Sequence, residues 1–168
     1  MNNLEQKLKQ FISKYRRENH DQAKQQADVL FEQYPREIKL FKSIGMLFLQ
    51  HNKLRDAIIV LKKILDLKPK CVEVLINIGL AYYQLNQLEF ALEFLDKAKK
   101  FDIKKTEVYY SLGLVYEKRN EIVKALTYYK NAIDADPTNT DALVNLGNVY
   151  LQQNEFYNAK DIYEEALN

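Results

Sequence analysis

Apolar residues recur along the chain at the three- and four-residue spacing of an amphipathic helix. Leu75, Ile78 and Tyr82 follow this spacing, and a second stretch repeats it with Leu88, Ala91, Leu92, Leu95 and Ala98. Residues at such intervals lie on one side of an α-helix. Asn86 stands between the two stretches, and asparagine tolerates the left-handed conformation that ends many helices. The pattern therefore predicts two consecutive helices with a break at Asn86.

This two-helix unit recurs every 34 residues. All four glycines of the chain keep that interval, at Gly45, Gly79, Gly113 and Gly147. Three more columns share the register: Ala57, Ala91, Ala125 and Ala159; Asn52, Asn86, Asn120 and Asn154; and the aromatic residues Phe48, Tyr82, Tyr116 and Tyr150. The three prolines, Pro35, Pro69 and Pro137, fall on the same frame. Each proline is expected to stop a second helix, because it has no backbone N–H to donate.

The glycines are predicted to serve packing. Gly79 and Ala91 belong to the two helices of one repeat, and small residues allow helix axes to approach closely. We therefore expect them to lie where the two helices cross. Phosphate binding is disfavoured, since none of the glycines lies in a glycine-rich loop or follows a strand.

The third copy displays the full motif, with Tyr109, Leu112, Gly113, Tyr116, Ala125, Tyr129, Ala132 and Pro137. This pattern resembles the tetratricopeptide repeat. The resemblance implies an all-α fold, a right-handed α-solenoid of antiparallel helix pairs with about ten helices. It divides one solenoid domain over residues 1–168 into copies at 38–71, 72–105, 106–139 and 140–168. Residues 1–37, with Phe11 at the glycine position, resemble a degenerate capping repeat.

Composition and charge exclude several classes of protein. Of the 168 residues, 47% are hydrophobic and 29% charged, which argues against a disordered chain. The formal net charge is +2, and residues 134–168 carry seven acids against the single base Lys160, so we expect no nucleic-acid partner. No apolar run approaches the roughly 18 residues that span a bilayer, so no membrane insertion is expected. The lone Cys71 suits a reducing compartment, which favours the cytoplasm.

Candidate catalytic residues are few. The two histidines, His20 and His51, stand 31 residues apart with no obvious partner. The chain contains no closely spaced Cys/His pair, nucleophile elbow, Walker loop or His-Glu-x-x-His sequence. We therefore expect no catalytic residue, no metal site, no cofactor and no enzyme activity.

The resemblance implies instead a peptide-binding groove lined by the first helix of each copy. Its positions lie two residues before the glycine, one after it and four after it, with flanking residues beside them. The positions are Lys42, Ser43, Met46 and Leu49; Ile76, Asn77, Leu80 and Tyr83; Tyr110, Ser111, Leu114 and Glu117; and Val144, Asn145, Asn148 and Leu151.

Two groove types of the family can be compared with these residues. The carboxylate clamp of heat-shock co-chaperones is matched by Lys42 and Asn77 but not by Met46, Glu107 or Ser111. The asparagine ladder of O-linked GlcNAc transferase, which holds a peptide backbone, is matched by Asn77 and Asn145 and interrupted by Ser43 and Ser111. An amide both donates and accepts hydrogen bonds, so it can pair with any backbone. The alternative is that these polar residues merely face water.

The sequence thus predicts a non-enzymatic scaffold that binds an extended peptide or helix of a partner protein. The alternative is a substrate-recruiting repeat arm of a larger glycosyltransferase- or sulfotransferase-type enzyme. The last copy is also expected to expose apolar surface around Phe156, Tyr157, Ile162, Tyr163 and Leu167, where self-association is a further hypothesis.

Overall fold

The structure, a computed structural model, describes residues 3–15, 20–101 and 106–167, without the side chains of residues 20–23. Ten α-helices and no strand occur in these ranges. They are α1 (Asn3–Tyr15), α2 (His20–Gln33), α3 (Ile38–Gln50), α4 (Leu54–Leu67), α5 (Val72–Gln84), α6 (Leu88–Phe101), α7 (Thr106–Lys118), α8 (Ile122–Ala135), α9 (Thr140–Gln152) and α10 (Phe156–Ala166). The predicted all-α fold is confirmed.

The helices pack in consecutive pairs. Helix α3 packs on α4, α5 on α6, α7 on α8 and α9 on α10. A link of only three residues joins the two helices of each pair, so the partners run in opposite directions. Each pair is one copy of the 34-residue unit.

The asparagine column makes these short links possible. Asn52, Asn86, Asn120 and Asn154 all have positive φ, between 56° and 61°, in the left-handed region where asparagine is tolerated better than most residues. In the first link, Asn52 N–H donates to the Leu49 carbonyl (3.0 Å) and Lys53 N–H to the Phe48 carbonyl (2.8 Å). These two bonds form a Schellman motif, which satisfies the last carbonyls of α3. The predicted helix break at each asparagine is confirmed.

The glycine column lies where the two helices of a pair cross. A Cβ on Gly79 would stand 2.7 Å from Leu95 Cγ and 3.4 Å from the carbonyl oxygen of Ala91. A Cβ on Gly113 would stand 2.5 Å from Tyr129 Cε1. Only glycine fits such an approach without a shift of the neighbouring side chain, so the predicted packing role is confirmed.

The prolines end the second helices as expected. Pro35, Pro69 and Pro137 each lie two residues beyond the end of α2, α4 and α8 respectively. The following helix begins with a side-chain cap in one case, where Asn139 Oδ1 accepts from the N–H of Ala142 (2.9 Å). Such a cap satisfies one of the otherwise unpaired N–H groups at a helix start.

The chain divides into two compact units, residues 1–69 and 70–168. In unit 1, buried apolar residues such as Leu40, Ile44 and Leu61 form the core. In unit 2, a core cluster contains Ala125, Tyr129, Leu146, Val149, Tyr150 and Ala159. The interpretation of residues 1–168 as one solenoid domain stays a prediction.

Candidate functional site

The predicted groove residues of unit 1 all lie on α3. Lys42 is exposed, whereas Ser43 and Met46 are half-buried beside the core residues Ile44 and Leu47.

The predicted groove residues of unit 2 lie on α5, α7 and α9, the first helices of three successive copies. Ten of them keep exposed or half-exposed side chains, and we call this set the first-helix face of unit 2. It comprises Asn77, Leu80, Tyr83, Tyr110, Leu114, Glu117, Val144, Asn145, Asn148 and Leu151. The flanking residue Ile76 is buried, so it is not part of this face.

Ser111, also predicted to line the groove, is buried instead, with 1% of its surface exposed. Its hydroxyl donates to the carbonyl of Glu107 one turn earlier on the same helix (2.6 Å). A serine bonded in this way satisfies its own polarity within its helix. Ser111 therefore offers a ligand no surface, and it is not part of the first-helix face.

Helices α7 and α9 are joined on this face by a hydrogen bond between two predicted groove residues. Asn145 Nδ2 donates to the hydroxyl oxygen of Tyr110 (3.1 Å). Burial raises the pKa of Tyr110, and the nearby carboxylate of Asp141 raises it further, whereas the bond from Asn145 opposes the shift. The Tyr110 hydroxyl therefore keeps its proton and can donate it to a further acceptor.

Helices α5 and α7 are joined by a residue that the sequence analysis did not select. Lys118 Nζ lies 4.5 Å from the centre of the Tyr83 ring and donates to the Tyr83 carbonyl (3.3 Å). A cation over an aromatic face is attracted by the ring quadrupole. Lys118 is the last residue of α7. The spacing that predicts groove positions selects its neighbour Glu117 and not Lys118, so the sequence provides no signal for it.

Tyr129 of α8 also reaches the first helices. Its ring passes over Gly113, and its hydroxyl donates to Glu117 Oε2 (2.5 Å). Burial raises the pKa of Tyr129 far above its usual value, and the bond to Glu117 adds to the effect. The ring lies 6.1 Å from that of Tyr110. Tyr129 is therefore both a core residue and the group that holds the Glu117 carboxylate.

The next copy repeats this arrangement with a different acceptor. Tyr163 passes over Gly147, and its hydroxyl donates to Asn148 Oδ1 (2.6 Å). In the two earlier copies the equivalent residues, Leu61 and Leu95, carry no hydroxyl. The sequence shows that a tyrosine replaces leucine sixteen residues after the glycine in these two copies, but it does not show which residue the hydroxyl contacts.

The described residues include no group of three His, Cys, Asp or Glu side chains that could hold a metal ion. His51 is exposed, and its ring meets the Tyr15 ring edge-on (5.0 Å); the side chain of His20 lies outside the described part of the chain. Cys71 is half-buried at the start of α5. Within the described ranges, no helix is long and apolar enough to cross a membrane.

Solved structures with the same fold support this architecture. A crystal structure of MamA shares 23% identity, with a TM-score of 0.80 over 99% of this chain and 94% of that chain. PilF of Pseudomonas aeruginosa shares 18% identity, with a TM-score of 0.76 over 98% of this chain and 75% of that one. YrrB, described as a TPR protein with an unusual peptide-binding site, shares 19% identity, with a TM-score of 0.69 over 88% and 76% of the two chains. No curated protein matches the chain in sequence.

Family models of the tetratricopeptide repeat match residues 43–105, 106–139 and 128–167. These matches cover the four copies that the glycine column defines. The four helix pairs from α3–α4 to α9–α10, each with a glycine where its helices cross, agree with these matches. The chain belongs to the tetratricopeptide repeat family.

Proposed function

We propose that the chain is a non-enzymatic scaffold that binds an extended segment of a partner protein on the first-helix face of unit 2. The family consists typically of such scaffolds, and one structural neighbour is described as having a peptide-binding site. Lys42, Ser43 and Met46 of unit 1 stay predicted ligand contacts on the repeat resemblance alone. The cytoplasm is the proposed compartment, because a single cysteine suits reducing surroundings.

The Asn145–Tyr110 pair is the observation that carries this proposal. Asn145 uses Nδ2 to bond Tyr110, which leaves its Oδ1 as an acceptor and the Tyr110 O–H as a donor. Asn148 accepts from Tyr163 through Oδ1 and keeps Nδ2 as a donor. A peptide backbone presents one N–H and one C=O per residue. These groups therefore suit an extended chain, whereas a helix has already paired its own backbone.

An affinity capture experiment tests the proposal. The wild type is compared with the triple variant Asn77→Ala/Tyr83→Ala/Asn145→Ala, which removes two of the three amides and one ring from the face. We expect a partner that the wild type retains to be lost from the triple variant.

The matched control is Val123→Ala/Thr127→Ala on α8, two exposed residues of the same unit on a second helix. This control should retain the partner, and thermal melts should show all three proteins folded. Equal capture by the folded triple variant would place the binding site elsewhere and contradict the proposal.

We further propose that α10 mediates self-association. Phe156 and Leu167 are 62% and 87% exposed, and Tyr157 is exposed next to Phe156. Ile162 and Tyr163, which were also expected to be exposed, are half-buried because they pack against the core cluster of unit 2. The exposed apolar side chains thus lie at the two ends of α10.

A further inference from the structure

We propose that the first-helix face of unit 2 selects a partner segment with a basic side chain, arginine or lysine, which binds at the Glu117 carboxylate between Tyr83 and Tyr110. This inference rests on the proposed function, since it names the chemistry of the segment that the face would hold. The proposed function requires only hydrogen bonds to the peptide backbone of the partner. The inference adds a preference for a positively charged side chain.

The Glu117 carboxylate is held in place and keeps an acceptor for a ligand. Its Oε2 accepts from the buried Tyr129 hydroxyl (2.5 Å), and Oε1 accepts no hydrogen bond from the described residues. Because the Tyr129 ring is fixed over Gly113, the carboxylate is oriented before any ligand binds. An arginine or lysine head group donates to such an oxygen in a charge-assisted hydrogen bond, which is stronger than a neutral one.

Two tyrosine rings, Tyr83 and Tyr110, lie near this carboxylate. The Tyr110 ring lies 6.1 Å from the Tyr129 ring. After burial, the field of Glu117 is the next cause that raises the pKa of Tyr83, and it also contributes at Tyr110. Both rings therefore stand within electrostatic reach of the same charge. A carboxylate and a nearby aromatic ring each attract a cation, the first by its charge and the second by its quadrupole.

Lys118 shows that this surface accommodates a cation. Its ammonium group lies over the Tyr83 ring (4.5 Å) and donates to the Tyr83 carbonyl (3.3 Å). Lys118 itself is exposed, so its side chain can move aside. We infer that it occupies part of the space that the basic group of a partner would take, and that it competes with that group.

The charges near the face favour a basic ligand over an acidic one. Asp141 lies close enough to Tyr110 to raise its pKa, and Glu107 lies in the first turn of α7. Lys118 is the opposing charge at this point of the face. An acidic segment, which a carboxylate clamp would bind, would meet Glu117 directly and be repelled by it.

Selection from a library of random peptides of about seven residues, able to span about 23 Å when extended, provides the test. The best peptide selected on the wild type is then made with citrulline or norleucine, which are uncharged, in place of its arginine or lysine. Binding of both peptides is measured to the wild type, Glu117→Gln and Lys118→Gln. The amide that Glu117→Gln introduces keeps an acceptor for the Tyr129 hydroxyl, so this variant removes the charge with little change of the fold.

We expect selection to enrich a basic residue at one position, and the uncharged peptide to bind the wild type about tenfold more weakly. Glu117→Gln should remove most of that difference and leave only the attraction of the tyrosine rings, whereas Lys118→Gln should strengthen binding of the basic peptide by about threefold. Enrichment of neutral or acidic peptides, or opposite effects of the two variants, would overturn the inference.

The double variant Tyr83→Ala/Asn145→Ala separates this inference from the proposed function. If the wild type enriches neutral peptides and the double variant does not, the face binds a segment without preference for its charge. Only the inference then fails. If the wild type enriches no peptide above this variant, the inference and the proposed function both fail.

Discussion

At the scale of single residues, the four glycines matter through the side chain that crosses each of them. The residue sixteen positions later passes over the glycine, as Leu61, Leu95, Tyr129 and Tyr163 in successive copies. Where that residue is leucine, the crossing only packs the two helices. Where it is tyrosine, the hydroxyl reaches the first helix of the same pair and donates a hydrogen bond to Glu117 or Asn148. A glycine required for packing thus also determines where a polar group is presented.

Gly113→Ala should lower the free energy of unfolding by about 1–3 kcal/mol. The added Cβ would stand 2.5 and 2.6 Å from two atoms of the Tyr129 ring, and that ring is fully buried and cannot turn away. Gly113→Leu should cost at least as much. Urea denaturation followed by circular dichroism measures the loss.

Val123→Ala, at a side chain that is 79% exposed, is the control, with an expected change within about 0.5 kcal/mol. If Gly113→Ala were as stable as the wild type, the close crossing of α7 and α8 would be wrong.

The sequence identified the glycine, alanine and asparagine columns because each depends on local geometry that recurs in every copy. It could not identify the bond between Tyr129 and Glu117, because that bond depends on the direction in which a buried ring leaves its helix. Ser111 illustrates the same limit. Its position fits the groove register, but its hydroxyl donates back to the Glu107 carbonyl, a choice that residue spacing does not determine.

At the scale of helices, α7 and α8 are linked by the hydrogen bond from the Tyr129 hydroxyl to Glu117, and the buried tyrosine makes the stability of this pair depend on pH. Tyr129 is buried and donates to Glu117, and both effects raise its pKa above the usual value of 10.0. The unfolded chain loses this proton near pH 10, while the folded chain keeps it. Above pH 10 the folded state therefore binds more protons than the unfolded state, and stability must fall as pH rises.

Tyr129→Phe should remove this contribution. Near neutral pH the variant should be less stable by about 1.5–3 kcal/mol, because Glu117 loses its donor. As pH rises above about 10, the free energy of unfolding of the wild type should fall by up to about 1.4 kcal/mol per pH unit through Tyr129. The difference in free energy of unfolding between the two proteins should therefore narrow. Urea denaturation of both proteins at several pH values measures this difference.

Tyr157→Phe, at a tyrosine that is almost wholly exposed, serves as the control and should change stability near neutral pH by less than about 0.5 kcal/mol. If the difference in free energy of unfolding between wild type and Tyr129→Phe stayed constant up to high pH, Tyr129 would not hold its proton in the folded state.

At the scale of the whole molecule, the last helix differs from its counterparts in what covers it. Ile133 of α8 packs against the core cluster of unit 2. Leu167, 34 residues later in the same frame, is 87% exposed, and Phe156 at the other end of α10 is 62% exposed. Burying side chains of this size contributes about 1.5–3 kcal/mol each. An apolar contact with a second copy of the chain would gain that contribution at both ends of the helix.

Light scattering over a range of protein concentrations tests this self-association. We expect the mean mass to rise with concentration and to do so equally at high salt, since screening weakens contacts between charges but not apolar contacts. Phe156→Glu and Leu167→Lys should each keep the protein monomeric. Each introduced charge is placed at the helix end whose dipole favours it, so α10 itself should persist.

Val123→Glu, a charge at an exposed apolar residue of α8, should leave association unchanged. A wild type that stays monomeric at every concentration would exclude this role for α10, and a rise in mass that high salt abolishes would assign the contact to charged side chains instead.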